Sequence, residues 1–466
     1  MYHIKKQNNI IRDLIKIRVF EEKLLDLFSM GKINGTTHTC VGQEEIPVAV
    51  MSLLNENDYI FSNHRGHGHY LARFKDEEGL FAEIMGKEGA VCNGVGGSQH
   101  IKRGHYLSTG IQGESVPVAV GVALNIKIEQ KSDLALVFIG DGTWGQGAVY
   151  EALNMASLWE VPLVIVCENN DISQTTPSSL NLSSNIEKRS KAFDIDYILI
   201  EHNSMTNEIT EILAPAFKKV RKNSKPLIVE IKTKRLLSHS KGDDTRDEKY
   251  IQNLKNNDWY EKLVKTYPKE ILKIRSEIET SLDKLINNIL LRDFVKKNTD
   301  LENIEVNYSF DKLIFKKESV LSNLNSAINS LMEKDTNVFF IGEDILDPYG
   351  GAFKVSKGLS TKFKDRVIST PISELGLTGV GNGLVLSGKK AIVEFMFGDF
   401  IFLAFDQIIN FSAKTVSMYG EKILHPIIFR CPVGGHRGYG PTHSQSVQKF
   451  FMGIPICFYL SCPLVI

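Results

Sequence analysis

The sequence predicts an α/β protein built from two doubly wound, parallel-sheet domains. Three observations lead there. The run Gly140-Asp141-Gly142 lies between an apolar stretch of strand length, residues 134–139, and residues 147–159, whose apolar positions recur at helical spacing. A second buried strand, residues 161–167, follows and leads into Asn169-Asn170. Beyond a compositional shift, strands and helices alternate again between residues 320 and 430. Such alternation argues a parallel sheet in each half.

Along the first half, residues 10–30 read as an amphipathic helix, 31–42 as a loop holding His38, and 43–53 as a second helix. Asn63-His64-Arg65-Gly66-His67-Gly68-His69 reads as a polar glycine/histidine loop. Gly94-Val95-Gly96-Gly97-Ser98-Gln99-His100 is a second glycine-rich loop. It lacks the glycine spacing and the preceding strand of a dinucleotide fingerprint. Residues 117–127 form a helix leading into the strand before Gly140, and 226–233 form a further strand followed by a polar loop, Ser238 to Arg246. From 251 to 315 Lys, Asn and Glu dominate, with apolar positions that suit helices and a loose connector near 297–308. The expected domains are therefore 1–260, a helical linker 261–316, and 317–466. In the last, helices are expected at 320–332, 375–386 and 405–419, and strands at 338–341, 390–395 and 426–430. No repeat of 20–50 residues is visible.

Composition narrows the class. The 466 residues are 42% hydrophobic and 24% charged, as in an ordinary globular protein. Lys+Arg and Asp+Glu are both 55, so no basic excess points to nucleic acid or to an anionic membrane. The six cysteines form no Cys-x-x-Cys pair, and Cys167 falls in a predicted core strand. They read as reduced thiols of a cytoplasmic protein. Residues 1–13 are polar and basic with no apolar core, unlike a secretory signal. Residues 450–466 carry no charge but include Pro455 and Pro463. A membrane span needs about 20 apolar residues, so this stretch reads as a strand cut short by the chain end.

Neighbouring strands of a parallel sheet end on the same edge, where ligands bind. Asp141 and Asn170 are hard oxygen ligands, suited to Mg²⁺ that keeps its other contacts for phosphate oxygens. Gly140 and Gly142 let backbone approach a diphosphate closely. A lone Gly-Asp-Gly is equally well a plain turn; the two strands and the Asn pair turn the reading toward a metal–diphosphate site. The arrangement resembles the thiamine diphosphate signature.

The resemblance extends along the chain. Residues 10 to about 260 resemble the alpha subunit of the thiamine-dependent first component of 2-oxo acid dehydrogenase complexes. The matching pieces are His38 with Gly42-Gln43-Glu44, His64 to His69, Gly94 to His100, Gly140-Asp141-Gly142, Glu151-Ala152-Leu153-Asn154, Glu168-Asn169-Asn170 and His239-Ser240. Residues 318 to about 450 resemble the first domain of the beta subunit, through Gly342-Glu343-Asp344, Tyr349 to Phe353, Thr370-Pro371-Ile372-Ser373-Glu374, Phe400, Phe405-Asp406-Gln407-Ile408 and His443-Ser444-Gln445. The histidine loop is most similar to acetoin and branched-chain-like members. Alpha and beta parts stand fused in one polypeptide.

This resemblance implies thiamine diphosphate and Mg²⁺ held between a diphosphate-binding and a pyrimidine-binding domain. It implies Asp141, Asn170 and the carbonyl of Ile172 (usually an aromatic position) as metal ligands. Arg65 would pair with the diphosphate, which a planar guanidinium suits; the plain alternative is a surface salt bridge. Gly110 and Gln112 match positions whose backbone contacts the aminopyrimidine. Glu374 would share a proton with that ring and so promote loss of the thiazolium proton, as a buried carboxyl can; without the motif it reads as an acid at a helix N-terminus. Phe400 would stack on the pyrimidine or is an ordinary core aromatic. His38, His239 and His443 match active-site histidines, and imidazole moves protons near neutrality. By analogy His443 orients substrate or protonates a lipoyl sulfur, while His38 and His239 contact diphosphate or the lipoyl group. His64 and His67 stay open between a site role and loop hydrogen bonds. Ser240 lies where some relatives are phosphorylated.

The implied reaction is decarboxylation of a 2-oxo acid, or cleavage of acetoin, with reductive acylation of a lipoyl group on a partner acyltransferase; a homodimer of the fused chain is expected. The beta-like part departs from the family after about residue 452, so a truncated second domain is expected. Two other readings stay open: a transketolase-like carboligase using the same cofactor, and an inactive remnant that binds cofactor or partners.

Overall fold

The computed structural model describes residues 4–33, 35–201, 205–240, 242, 244–296, 319–435 and 438–455. The first half runs α1 (Ile4–Ser29), α2 (Glu45–Met51), β1 (Tyr59–Ser62), α3 (His67–Phe74), α4 (Glu77–Met85), β2 (Lys102–Arg103), β3 (Tyr106–Ser108), α5 (Ser115–Ile128), β4 (Ala135–Gly140), α6 (Gly147–Leu158) and β5 (Leu163–Asn169). It continues through α7 (Ser178–Asn181), α8 (Ile186–Ala192), β6 (Asp196–Ile200), α9 (Thr206–Asn223), β7 (Leu227–Lys232), α10 (Glu248–Asn256), α11 (Trp259–Thr266) and α12 (Pro268–Leu290). The second half contains α13 (Val320–Lys334), β8 (Val338–Glu343), α14 (Leu359–Lys362), β9 (Val367–Thr370), α15 (Glu374–Leu386), β10 (Lys390–Glu394) and β11 (Ile427–Arg430).

Two sheets result, as expected. The first has strand order β2-β3-β1-β4-β5-β7-β6, parallel except for β2 against β3. The second has order β11-β10-β8-β9 and is wholly parallel. β4 and β5 are apolar runs because helices cover both sheet faces; all of Leu163–Asn169 is buried. α9 shows the other pattern: Ile209, Leu213, Phe217 and Val220 line one buried face of a surface helix. α12 presents Ile271, Ile274, Ile278, Leu282, Ile286 and Ile289 inward and lies along α1 and α4. The connector expected near 297–308 lies outside the described residues, as do residues 456–466 of the final strand expected over 450–466; its described start, residues 450–455, continues the 3₁₀ turn Gln448–Phe450 as turns and forms no strand. No described helix is long and apolar enough to cross a membrane.

Short elements escaped the sequence pattern. β1 and β3 span four and three residues, too few for a period to show. α3 begins at His67, inside the stretch read as a loop. The helix expected over 405–419 contains a π-helical turn, Gln407–Ala413. There the Gln407 carbonyl accepts hydrogen bonds from Asn382 Nδ2 at 3.2 Å and Ser412 Oγ at 2.9 Å. Side-chain donors occupy the place of the i+4 amide, and the backbone widens by one residue.

The halves dock through α5 and α15. α5 is apolar on all sides because the sheet lies on one side and α15 on the other; residues Ser115 to Ile126 are all buried. Gln407 Nε2 donates to the Glu114 carbonyl at 2.8 Å, and Asn93 Nδ2 donates to the Gly420 carbonyl at 2.6 Å. One apolar core runs through both halves, and a smaller one fills the space between α13 and the far face of the second sheet.

Glu114 is the costly member of this junction. Burial pushes its carboxyl up to about 7, even though the Thr109 hydroxyl donates to it at 2.7 Å. The folded state therefore holds this proton more tightly than the unfolded chain. Its stability is highest below pH ~4.5, falls through the window between ~4.5 and ~7, and stays lower above it, by about 3 kcal/mol from this one group. Glu114→Gln is expected to flatten that decline, measured as urea unfolding free energies at pH 5 and pH 8. An undiminished decline in the variant would refute the assignment.

Candidate active site

The predicted residues of the first half gather at one sheet edge. The segments after β1, β3, β4, β5 and β7 carry His64 and Arg65, Gly110 and Gln112, Asp141 to Thr143, Asn170 to Ile172, and Arg235 to His239 respectively. His38 joins them from the segment before α2. The C-terminal edge of the sheet, where α/β proteins bind ligands, thus collects polar groups that are distant in sequence.

Asp141 opens a 3₁₀ turn directly after β4 and is buried. Its carboxylate accepts the Ser178 hydroxyl and the backbone N–H of Asn170. Burial holds the carboxyl above the usual aspartate range, and among the described residues no cationic side chain pairs with it. Asn170 Oδ1 accepts the backbone N–H of Ile172 at 3.2 Å, closing the turn after β5. Gly140 ends β4, with open space where a Cβ would stand. A Cβ on Gly142 would lie 2.5 Å from Ser173 Oγ, so a side chain there would collide with the opposite loop.

A cationic cluster lies beside this turn. Nitrogens of His38, His64 and His239 all fall within 4.8 Å of one another. Arg65 Nη2 donates to the His239 carbonyl at 3.3 Å, and Arg235 Nη1 lies 3.2 Å from His239 Nδ1. Burial, then the Arg65 charge and the neighbouring imidazoles, hold His64 well below the usual histidine range, so it is neutral at pH 7. Gln112 bridges cluster and turn: its Nε2 lies 2.9 Å from His64 Nδ1, and its Oε1 accepts the Thr143 hydroxyl at 2.6 Å. Gln99 Nε2 lies 3.3 Å from His38 Nδ1, and a Cβ on Gly110 would stand 2.1 Å from Gln99 Oε1. The sequence marked Gln112 for its backbone alone and missed Thr143, Gln99 and Arg235. Only the neighbourhood of Gly-Asp-Gly pointed toward Thr143.

The histidine loop divides by role. His64 joins the cluster. His67 is buried, with Nδ1 3.0 Å from Glu21 and Nε2 3.0 Å from Ser98 Oγ. His69 stands between Ser62 Oγ at 2.8 Å and Glu168 at 3.3 Å, and Glu168 also accepts Asn63 Nδ2 at 3.0 Å. Ser62, His69 and Glu168 look like a hydrolytic triad in outline, but they are only 0%, 1% and 6% exposed. They brace the loop that presents His64 and Arg65. Glu83 fixes the second glycine-rich loop, accepting the backbone N–H of Cys92, Gly94, Gly96 and Gly97 at 2.7–3.0 Å.

The second half repeats the edge arrangement. Glu374 begins α15, buried beside Glu343 at the end of β8 and Glu151 of α6. Glu151 accepts the Gly376 N–H at 2.7 Å, and Glu343 accepts the Ser373 N–H at 3.0 Å. Burial, with the nearby Glu374 charge, raises the Glu343 carboxyl to about 7. Phe400, on a 3₁₀ turn (Gly398–Ala404) that packs against α15, lies edge to face with His443 at 5.3 Å, with Phe397 against both at 5.6 and 4.6 Å. The described contacts of Glu374, Phe400 and His443 do not reach the histidine cluster.

Two parallel sheets with acids, amides, imidazoles and guanidiniums gathered at strand ends, docked helix to helix, define a two-domain α/β enzyme. The description "dehydrogenase E1 component" matches residues 12–289, and "transketolase, pyrimidine binding domain" matches residues 318–461. The alpha subunit of acetoin:2,6-dichlorophenolindophenol oxidoreductase from Bacillus subtilis is 30% identical over 308 residues, covering 63% of this chain and 92% of that protein. Its counterpart from Cupriavidus necator is 34% identical over 238 residues, covering 50% and 71%. The alpha subunit of the pyruvate dehydrogenase E1 component from Rickettsia bellii is 34% identical over 254 residues, covering 53% and 77%. The chain belongs to the dehydrogenase E1 component family, and with it to the oxidoreductases.

Proposed function

We propose that this chain binds thiamine diphosphate with Mg²⁺, decarboxylates a 2-oxo acid or cleaves acetoin, and passes the acyl group to a lipoyl group on a partner acyltransferase. The observation that carries this reading is the buried Asp141 carboxylate, without a cationic partner among the described residues, beside a cluster of imidazoles and guanidiniums. An unpaired buried carboxylate is costly. A divalent cation offsets that cost, and the adjoining cations suit the phosphates such a cation bridges.

The donor set fits the cofactor. Asp141, Asn170 and the Ile172 carbonyl would hold Mg²⁺. Arg65, His64 and His239 would face the diphosphate, with Gly140 and Gly142 leaving it room and Gly110 and Gln112 bordering the pyrimidine. When bound, thiamine diphosphate supplies the electron sink for breaking the bond next to the oxo carbon. Glu374 would hold and release a proton at its carboxyl oxygen, Phe400 would pack against the pyrimidine, and His443 would give a proton to the lipoyl sulfur. His38 and His239 would line the approach, and two copies of the chain would form the working unit.

The test is calorimetric titration of thiamine diphosphate with Mg²⁺. Wild type is expected to bind in a Mg²⁺-dependent way, and Asp141→Ala to lose that binding. Glu374→Gln is expected to retain binding while turnover of 2-oxo acids with an artificial electron acceptor falls about 10²–10⁴-fold. Binding by a folded Asp141→Ala variant that equals wild type would sink the metal assignment, and full turnover by Glu374→Gln the proton role.

A further inference from the structure

One residue that the sequence did not mark touches both turns of the Asp141–Asn170 site. Ser178 opens α7, and its hydroxyl meets the Asp141 carboxylate. An ionised carboxylate only accepts, so the serine donates and the direction of this bond is fixed. The backbone N–H of the same residue donates to the Asp171 carbonyl at 3.0 Å. Asp171 stands between Asn170 and Ile172 in the left-handed conformation, φ 65°, which residues other than glycine adopt at a cost. Its own N–H donates to Asn169 Oδ1 at 2.9 Å. A short hairpin carries Ser178 back to this place. Ile172 pairs with Pro177, the Ser173 N–H donates to the Thr176 carbonyl at 2.9 Å, and Asn181 Nδ2 donates to Ser173 Oγ at 2.9 Å.

We infer that Ser178 is a positioning residue for a small divalent cation. With one bond to Asp141 and one to the carbonyl between Asn170 and Ile172, it ties the turn after β4 to the turn after β5. The tie sets the spacing of the three oxygens proposed for Mg²⁺. Two carboxylate oxygens carry about four acceptor sites, so Asp141 keeps lone pairs for an ion while Ser178 holds it. Mg²⁺ demands near-octahedral oxygen ligands at about 2.0–2.1 Å, whereas Ca²⁺ accepts irregular sets at roughly 2.3–2.6 Å. Fixed spacing therefore serves the smaller ion more, and the tie favours Mg²⁺ over Ca²⁺. The bracing of the two turns stands on the free protein; its use for a cation rests on the proposed function.

The test has two arms. In cofactor-free protein, Ser178→Ala is expected to speed amide hydrogen exchange across residues 170–178 about tenfold, the scale of one hydrogen bond to a charged group. Ser179→Ala, at an exposed neighbour in the same helix, is the control and should exchange as wild type. A wild-type rate in Ser178→Ala overturns the tie. In the second arm, thiamine diphosphate is titrated calorimetrically into the same proteins with Mg²⁺ or with Ca²⁺. Removing a hydrogen-bond partner of a metal ligand weakens binding about 10–100-fold. Ser178→Ala is expected to show that loss with Mg²⁺ and a smaller one with Ca²⁺, while Ser178→Thr, which keeps the hydroxyl, binds as wild type. Equal losses with both ions, or unchanged binding with Mg²⁺, overturn the positioning role and leave the proposed cofactor standing. Tighter binding by Ser178→Ala does the same, because the hydroxyl then competes with the ion. No binding by wild type with either ion overturns the proposed function and the cation role together, and the first arm alone then judges the tie.

Discussion

Gly383→Ala is expected to pry the two halves of the molecule apart. A Cβ at this position would lie 2.1 Å from the Val118 carbonyl oxygen and 2.8 Å from both Gly121 Cα and Val122 N. The approach is mutual, because a Cβ on Gly121 would stand 2.2 Å from the Val380 carbonyl oxygen. Everything struck is backbone, so no side chain can swing away and the helices must separate. Alanine gains about 1 kcal/mol of helix propensity over glycine, but overpacking costs up to about 3 kcal/mol and more where nothing gives. The separation would also stretch the Gln407–Glu114 bond across the same junction. Scanning calorimetry is expected to show a lower transition that splits in two. Gly147→Ala, where a Cβ meets nothing within 4 Å, is the control and should be neutral or mildly stabilising. A Gly383→Ala protein as stable as wild type would show that the helices do not pack this closely.

Arg18→Met carries the second large effect. Arg18 is buried in α1, with Nη2 on Glu44 at 3.0 Å, Nε on the same carboxylate, and Nη1 on Asp258 at 2.7 Å. Its guanidinium lies 5.1 Å over the Trp259 ring, and Trp259 Nε1 donates to Glu44 at 3.0 Å. The network joins α1, α2 and α11. Methionine fills much of the volume but strands two buried carboxylates, which costs about 3–5 kcal/mol when one member of a buried network is removed. Replacing all three charged members, as Arg18→Met with Glu44→Gln and Asp258→Asn, is expected to recover most of the loss in urea unfolding. A single variant within about 1 kcal/mol of wild type would mean that these carboxylates find solvent.

The Asp141 turn was legible because its elements are local: Asp141 and Asn170 each follow a buried strand, and strand runs show in sequence. The histidine cluster was legible only in part. His38, His64 and His239 come from three separate segments, and the meeting of the last two depends on the strand order β1-β4-β5-β7, which no periodicity records. The roles within the histidine loop were hidden for the same reason. Only the packing of Glu21 against His67, and of Glu168 against His69, assigns those two rings to support and leaves His64 to the site. Gln112 and Thr143 are ordinary residue types whose meaning arises from a 2.6 Å contact across two loops. The π-helical turn was unreadable because its cause, Asn382, lies far back in the chain.

Both family matches lie on one polypeptide, and that arrangement has a kinetic consequence. Docking of α15 onto α5 becomes an encounter between two parts of the same chain. Tethered partners meet at effective concentrations on the order of millimolar, so their pairing does not weaken on dilution and needs no balanced supply of separate chains. The junction can then carry costly members such as the buried Glu114 and still remain closed. Separate subunits would have to recover that cost from bulk concentration.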